Sequence, residues 1–334
     1  MRWTRWPLGL LLFLTVLVSA SAAPGKLVGE QEYSLPDWFK FSFLEIQEDI
    51  RDAQQSNKHV MLFMHIDRCP YCTALIEENF RQGRNYDFTR KNFDVIALNI
   101  RGDREIVWDT KTTYTEKSLA KKLNIFATPT VLFLNHEGKT VYKMHGYRKP
   151  SAFGHVLQYV SEKQYEKASL ADYIRQKNEV RYQFQSHPLF TETNDFSGIK
   201  EPMLVLFEDK SCAECGEFHK EVLNHASVMQ ELKAFRVVRL NADADTAIVD
   251  NRGNRTSPRK WASSLKLDYR PGSILFDNGK EVTRVDGRLY HFHYKEMLRY
   301  VSTRAYKRYP TYIDYLGPRQ KQLLQSGVTI DVSR

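Results

Sequence analysis

The sequence predicts a mixed α/β protein made of two tandem copies of one domain, each a mixed central sheet with helices on both faces. Three observations carry this reading. At 334 residues the chain is longer than a single hydrophobic core usually supports. Its second half repeats its first at a shift of about 142 residues. In both halves, apolar runs of strand length alternate in the same order with segments of helical periodicity.

The repeat holds its register over the whole domain. Cys69 falls on Cys212, Phe93 on Phe235, Asn99 on Asn241, Ala120 on Ala262, Pro129 on Pro271, and Gly146 on Gly287. "LQYVS" from Leu157 likewise meets "LRYVS" from Leu298. A single long-period duplication explains this; a short-period solenoid does not.

In the first copy, "SFLEIQEDIRDA" places Phe43, Ile46, Ile50 and Ala53 on one helical face. "HVMLFMHI" follows as a nearly continuous apolar run, the mark of a strand covered on both sides. The pair in "RCPYC" comes next, and "CTALIEENF" behind it reads as a helix, so Cys69 is expected at a strand-to-helix turn. "FDVIALNI" reads as a strand, "TEKSLAKKL" as a helix with a threonine cap, "TVLFLN" and "TVYKMHG" as a hairpin, and a helix closes the copy from Pro150. The second copy gives the same order through "MLVLFE", "SCAEC", "FRVVRLN", "PRKWASSLKL", "SILFD", "EVTRVDG" and "HFHYKEMLRYVS". A proline opens the third strand of each copy, where a missing N–H is tolerated. The expected bounds are 32–175 and 176–316 for the two copies, with 317–334 as a tail; "YPTYIDYLGPRQKQLLQSG" looks like a repeat of the first copy's closing helix, but Pro310 would break a helix there, so a kinked segment is expected.

Residues 1–23 have the three parts of an export signal: Arg2 and Arg5, the apolar run Leu8 to Val18, and "SASAA". The run is short for a bilayer span, so cleavage and a periplasmic or secreted location are expected, an uncleaved anchor being the alternative. The whole chain carries +9, and losing two arginines leaves +7. The basic stretch Asn251 to Lys260 reads as a solvated loop and not a nucleic-acid surface, with Ser257 and Pro258 as cap and first residue of a helix. No nucleic-acid partner is expected.

All four cysteines lie in the two Cys-x-x-Cys pairs, a pattern unlike a disulfide-stapled small domain. Zinc shared by four thiolates is a rival reading, although 140 residues separate the pairs and each has its own strand, helix and proline. Haem attachment is excluded, since Thr73 and Gly216 follow the motifs.

A Cys-x-x-Cys after an apolar strand, with a proline 60 or 59 residues later before another strand, resembles the thioredoxin fold, twice over. Through "LPDWFKFSFLEIQEDI", "CPYC", "LNIRGDREI" and "TEKSLAKKLNIFATPTVLF", the first copy resembles the periplasmic SoxW-like thioredoxins over about residues 32–165. The second resembles only the general pattern. The resemblance implies that Pro129 and Pro271 are cis and lie beside the cysteines. It also implies that Pro70, Tyr71, Thr128, Pro129, Arg270 and Pro271 meet the substrate. It further implies a reductase of disulfide-containing exported proteins, fed by a membrane electron donor, with no cofactor beyond its own redox-active disulfides. Disulfide isomerase and non-catalytic binding module are the other readings.

Thiol-disulfide exchange needs a thiolate, which the unpaired N–H groups and dipole of a helix start stabilise. Lowering a thiol pKa from ~8.5 to ~7 is worth about 2 kcal/mol. Cys69 and Cys212 are therefore expected to attack, with Cys72 and Cys215, one turn on, as resolving thiols. Glu208, Asp209, Glu214 and Glu217 crowd the second pair, which predicts a slower Cys212. Phe63 and Leu206 stand where many thioredoxins carry a buried aspartate, so the proton acceptor is unassigned; His65 and His219 are read as structural.

Overall fold

The computed structural model describes residues 23–177 and 182–333, so the expected export signal lies almost wholly outside the described residues. Among those described, no helix is long and apolar enough to cross a membrane.

The first copy runs β1 (Leu27–Val28), α1 (Ile46–Gln55), β2 (His59–His65), α2 (Pro70–Leu75, continued as a π-helical turn Ile76–Arg81), α3 (Tyr86–Asn92), β3 (Phe93–Asn99), β4 (Glu105–Asp109), β5 (Thr112–Thr115), α4 (Glu116–Lys122), β6 (Thr130–Leu134), β7 (Thr140–His145), α5 (Pro150–Ser161) and α6 (Leu170–Lys177). The second gives β8 (Met203–Glu208), α7 (Cys215–Phe218, continued as a π-helical turn His219–Leu223), α8 (Ala226–Leu232), β9 (Arg236–Asn241), β10 (Ile248–Val249), β11 (Arg255–Thr256), α9 (Pro258–Ser264), β12 (Gly272–Asp277), β13 (Lys280–Val285) and α10 (His291–Ser302). The chain ends in α11 (Tyr312–Gln325) and β14 (Ile330–Asp331).

Two four-stranded mixed sheets result, ordered β3-β2-β6-β7 and β9-β8-β12-β13. In each, the strand leading to the cysteines is central, parallel to one neighbour and antiparallel to the other. Strand alternation sorts side chains to the two faces. Met61 and Phe63 join the cluster under α2 and α5, while Val60, Leu62 and Met64 join the one under α1 and α4. Leu204 and Leu206 face α8 and α10, and Met203, Val205 and Phe207 face Trp261 of α9.

Three expectations change. Helix α1 starts only at Ile46; Leu44, at φ 64, turns the chain so that Phe43 is 84% exposed and outside the apolar face. The β4–β5 hairpin was not foreseen. The tail is a regular helix starting after Pro310, with Thr311 and Asp314 forming a capping box, and it runs through the expected 316/317 boundary. Tyr312 Oη donates to the His293 carbonyl (3.0 Å) and Tyr315 Oη to Glu296 (2.9 Å), so this helix packs on α10. Strand β14 then pairs with β1, bringing the two ends of the described chain together.

The copies meet at equivalent positions. Tyr147 and Arg288, one repeat apart, form an antiparallel bridge just after β7 and β13. Gly146, at φ +72, lets its backbone approach Gly287, so that a Cβ on Gly146 would sit 3.5 Å from the Gly287 Cα. Arg148, 2% exposed, reaches Asp286 at 3.6 Å and lies over the Tyr269 ring at 4.0 Å. Lys149 pairs with Glu217.

Candidate active site

Cys69 is the N-cap of α2. Pro70, at the first helical position, has no N–H to leave unpaired and a backbone angle suited to a helix start. The Cys72 N–H donates to the Cys69 sulfur at 3.1 Å, the bond that would hold a thiolate there. The Thr128 hydroxyl lies 3.6 Å from the same sulfur. Cys69 is bonded to Cys72, with 5.1 Å between their Cα atoms. Thr128–Pro129 is cis and directly precedes β6, so the cis proline follows the residue whose hydroxyl lies beside the Cys69 sulfur.

Cys212 is likewise bonded to Cys215, with Cα atoms 5.6 Å apart, and Arg270–Pro271 is cis. Each pair is closed within its own domain. Here, however, the helix begins at Cys215, with Glu214 as its N-cap. Cys212 sits three residues upstream, its N–H donating to the Asp209 carbonyl (3.2 Å). The second sequence has Ala213 where the first has Pro70, and the preset helix start is lost with it. Cys212 is therefore not the helix-start cysteine that spacing implied.

The carboxylates expected to burden Cys212 are engaged. Glu208, fully buried, meets His219 Nε2 at 2.7 Å; Asp209 pairs with Arg270 at 2.9 Å. Glu214 accepts from the Tyr269 hydroxyl at 2.7 Å and faces Arg288 at 3.7 Å; Glu217 pairs with Arg288 (2.7 Å) and Lys149. Each of these carboxylates has a cation or donor beside it, and the helix start is a further difference between the two sulfurs. Arg270, expected to meet substrate, instead spends its guanidinium on Asp209 and on the carbonyls of Leu267 and Tyr269.

Tyr71 is also used otherwise. Its ring stacks on Tyr290 of the second copy (5.1 Å, 20°). Its hydroxyl accepts from the Tyr290 N–H (2.9 Å) and shares a hydrogen bond with His293 Nδ1 (2.9 Å). Burial pushes the Tyr71 phenol well above its usual range and lowers His293 to about 4, which keeps both neutral. Interface residues such as these carry no sequence signal beyond being aromatic.

His65 is stacked on Phe63 (5.5 Å) and hydrogen-bonded to Tyr33 (2.7 Å), its pKa lowered by burial. Its repeat equivalent is Glu208. The buried Glu208–His219 pair is thus a local replacement for the apolar Ile76 side, and it leaves His219 Nδ1 without a partner.

A cleft of ≈ 1010 Å³ runs along the seam between the copies. Cys69 and Thr128 lie on one wall and Gly287, His293, Tyr312 and Leu316 on the other. Cys69 is 4% exposed and Cys72 fully buried.

Comparison with family models matches a thioredoxin-like domain twice, at residues 46–161 and 189–302. Comparison with curated proteins gives no match. Among solved structures, the chain is similar to a thioredoxin-fold protein from Helicobacter pylori, with 23% identity over 36% of this chain and 84% of that one and a TM-score of 0.33. It is also similar to a DsbH oxidoreductase (13%, 45% and 92%, TM-score 0.27) and to a disulphide isomerase from Xylella fastidiosa (15%, 43% and 98%, TM-score 0.25). With the family model covering both copies and a bonded Cys-x-x-Cys at the same place in each, the chain belongs to the thioredoxin-like domain family and is a tandem thiol-disulfide oxidoreductase.

Proposed function

We propose that the chain is an exported disulfide reductase acting on protein substrates through Cys69 and Cys72, with Cys212 and Cys215 as a slower second couple. The observation that carries the assignment is the Cys72 N–H aimed at the Cys69 sulfur from a proline-started helix, which has no counterpart at Cys212. Reduced Cys69 attacks a substrate disulfide and forms a mixed disulfide, releasing one substrate thiolate. Cys72 then loses its proton, attacks the Cys69 sulfur and frees the second, leaving the enzyme disulfide. Net, one substrate disulfide is reduced and one enzyme dithiol oxidised, so a donor must restore the dithiol. The export-like segment 1–23 and the likeness of the first copy to periplasmic SoxW-like thioredoxins support a periplasmic site and a membrane electron donor.

The test is insulin reduction with dithiothreitol as donor, using Cys69→Ser and Cys212→Ser separately. The first is expected to remove most turnover and the second little. Equal losses would overturn the ranking of the two centres, and no turnover by the parent chain would overturn the reductase. Reduction potentials of the two pairs against glutathione then decide between reductase and isomerase.

A further inference from the structure

We infer that the second domain and the C-terminal helix form a fixed specificity wall, which restricts the first centre to disulfides on extended, flexible peptide segments and excludes disulfides flush with a folded surface. This rests on the reductase reading above and names its substrate class.

Exchange requires the substrate sulfur to reach bonding distance of the Cys69 sulfur, with the leaving sulfur behind it in line. On an open surface a folded protein could present its disulfide directly. Here Cys69 is 4% exposed and looks into a cleft of ≈ 1010 Å³, close to the upper size of a small-molecule pocket, whose far wall belongs to the other domain. A substrate must therefore carry its disulfide on a chain thin enough to enter, with the bulk of its fold left outside.

The wall is held by contacts too buried to yield easily. The cysteine motif itself contributes Tyr71, stacked and doubly hydrogen-bonded to Tyr290 and His293. Arg148 is enclosed against Asp286 and Tyr269, and Leu289 packs on the apolar clusters of both domains. Helix α11 is fastened through Tyr312 and Tyr315 to α10 and extends the wall with Leu316 and Gly317. Gly317 gives a clean handle. It lines the cleft, has no left-handed backbone angle, and a Cβ built there meets nothing within 4 Å. A side chain at this position starts in open space beside the cleft.

The experiment measures kcat/KM of the full chain for two peptides joined by one disulfide, for native lysozyme and for lysozyme with scrambled disulfides. Each value is divided by the rate at which free dithiothreitol reduces the same substrate. The peptide and scrambled lysozyme are expected at least ~10-fold above native lysozyme, and Gly317→Trp is expected to lower peptide kcat/KM by ~10-fold, while dithiothreitol reduces Cys69–Cys72 at a rate within about twofold of the parent. Equal normalised rates for native and scrambled lysozyme would overturn the wall, as would an unchanged peptide rate in Gly317→Trp. As a measurement needing no variant, alkylation of reduced parent protein, mapped to the Cys69 peptide, should be ~10-fold slower with a maleimide held by a short linker on a folded carrier protein than with the same maleimide on a flexible peptide; equal rates count against it. If the parent reduces none of the substrates, the reductase reading itself falls, an outcome distinct from reduction without discrimination.

Discussion

Replacing Asp268 by asparagine probes the seam through a carboxyl held above its normal range. Asp268 lies between the copies, where burial first, and Asp286 second, raise its pKa from 3.8 to about 6 against the opposing pull of Arg270, Arg148 and the Ala171 N–H. A carboxyl whose folded pKa is raised contributes stability below its unfolded value and loses it as pH climbs through the folded one. The difference between 3.8 and about 6 corresponds to roughly 3 kcal/mol of cost at pH 8, an upper bound because Asp268 keeps some solvent contact. Asparagine keeps the shape and an acceptor for the Ala171 N–H while removing the charge. Urea unfolding of Asp268→Asn and parent should therefore show a gain of about 2–3 kcal/mol at pH 8 and almost none at pH 4. The difference between the two proteins cancels the separate acid destabilisation from His293. A gain of the same size at both pH values, or a loss at pH 8, would refute the reasoning.

His219→Leu, which strands Glu208 in the interior with only a 3.4 Å contact to the Tyr182 hydroxyl, should cost about 3–5 kcal/mol in denaturant unfolding, whereas Glu208→Leu with His219→Leu should fall within about 1–2 kcal/mol of the parent. Tyr71→Phe leaves His293 Nδ1 and the Tyr290 N–H unpaired and should destabilise by about 1–3 kcal/mol, with faster amide exchange at Tyr290 as the local readout. Stability should also fall as pH drops from 6.5 through about 4, because His59 and His293 are buried neutral and resist protonation only when folded; His59→Phe should flatten that limb in an acid titration.

The duplication, the order of strands and helices along each copy and the place of Cys69 at a helix start were legible because each rests on local signals held in register: apolar runs of strand length, Ser257–Pro258 and Thr115 as helix starts, and prolines ahead of β6 and β12. What escaped depends on contacts distant in sequence. Phe43 satisfies the helical period, yet the turn at Leu44 takes it out of the helix. The acidic residues around Cys212 read as a charge excess because their partners, Arg270, Arg288 and Lys149, lie 61 to 74 residues away along the chain. Tyr71 looked like a substrate contact because nothing in "CPYC" reveals that a second domain lies on it. Two-residue strands such as β1 and β14 offer no period to detect.

A redox titration of the full chain in glutathione buffers, quenched by alkylation and mapped by mass spectrometry, bears most directly on the central claim that two separate dithiols cycle in one molecule. The account predicts two independent two-electron transitions, with Cys69 the most rapidly alkylated sulfur once reduced. A pair that never opens across the accessible potentials, or cross-linked peptides joining Cys69 or Cys72 to Cys212 or Cys215, would contradict it.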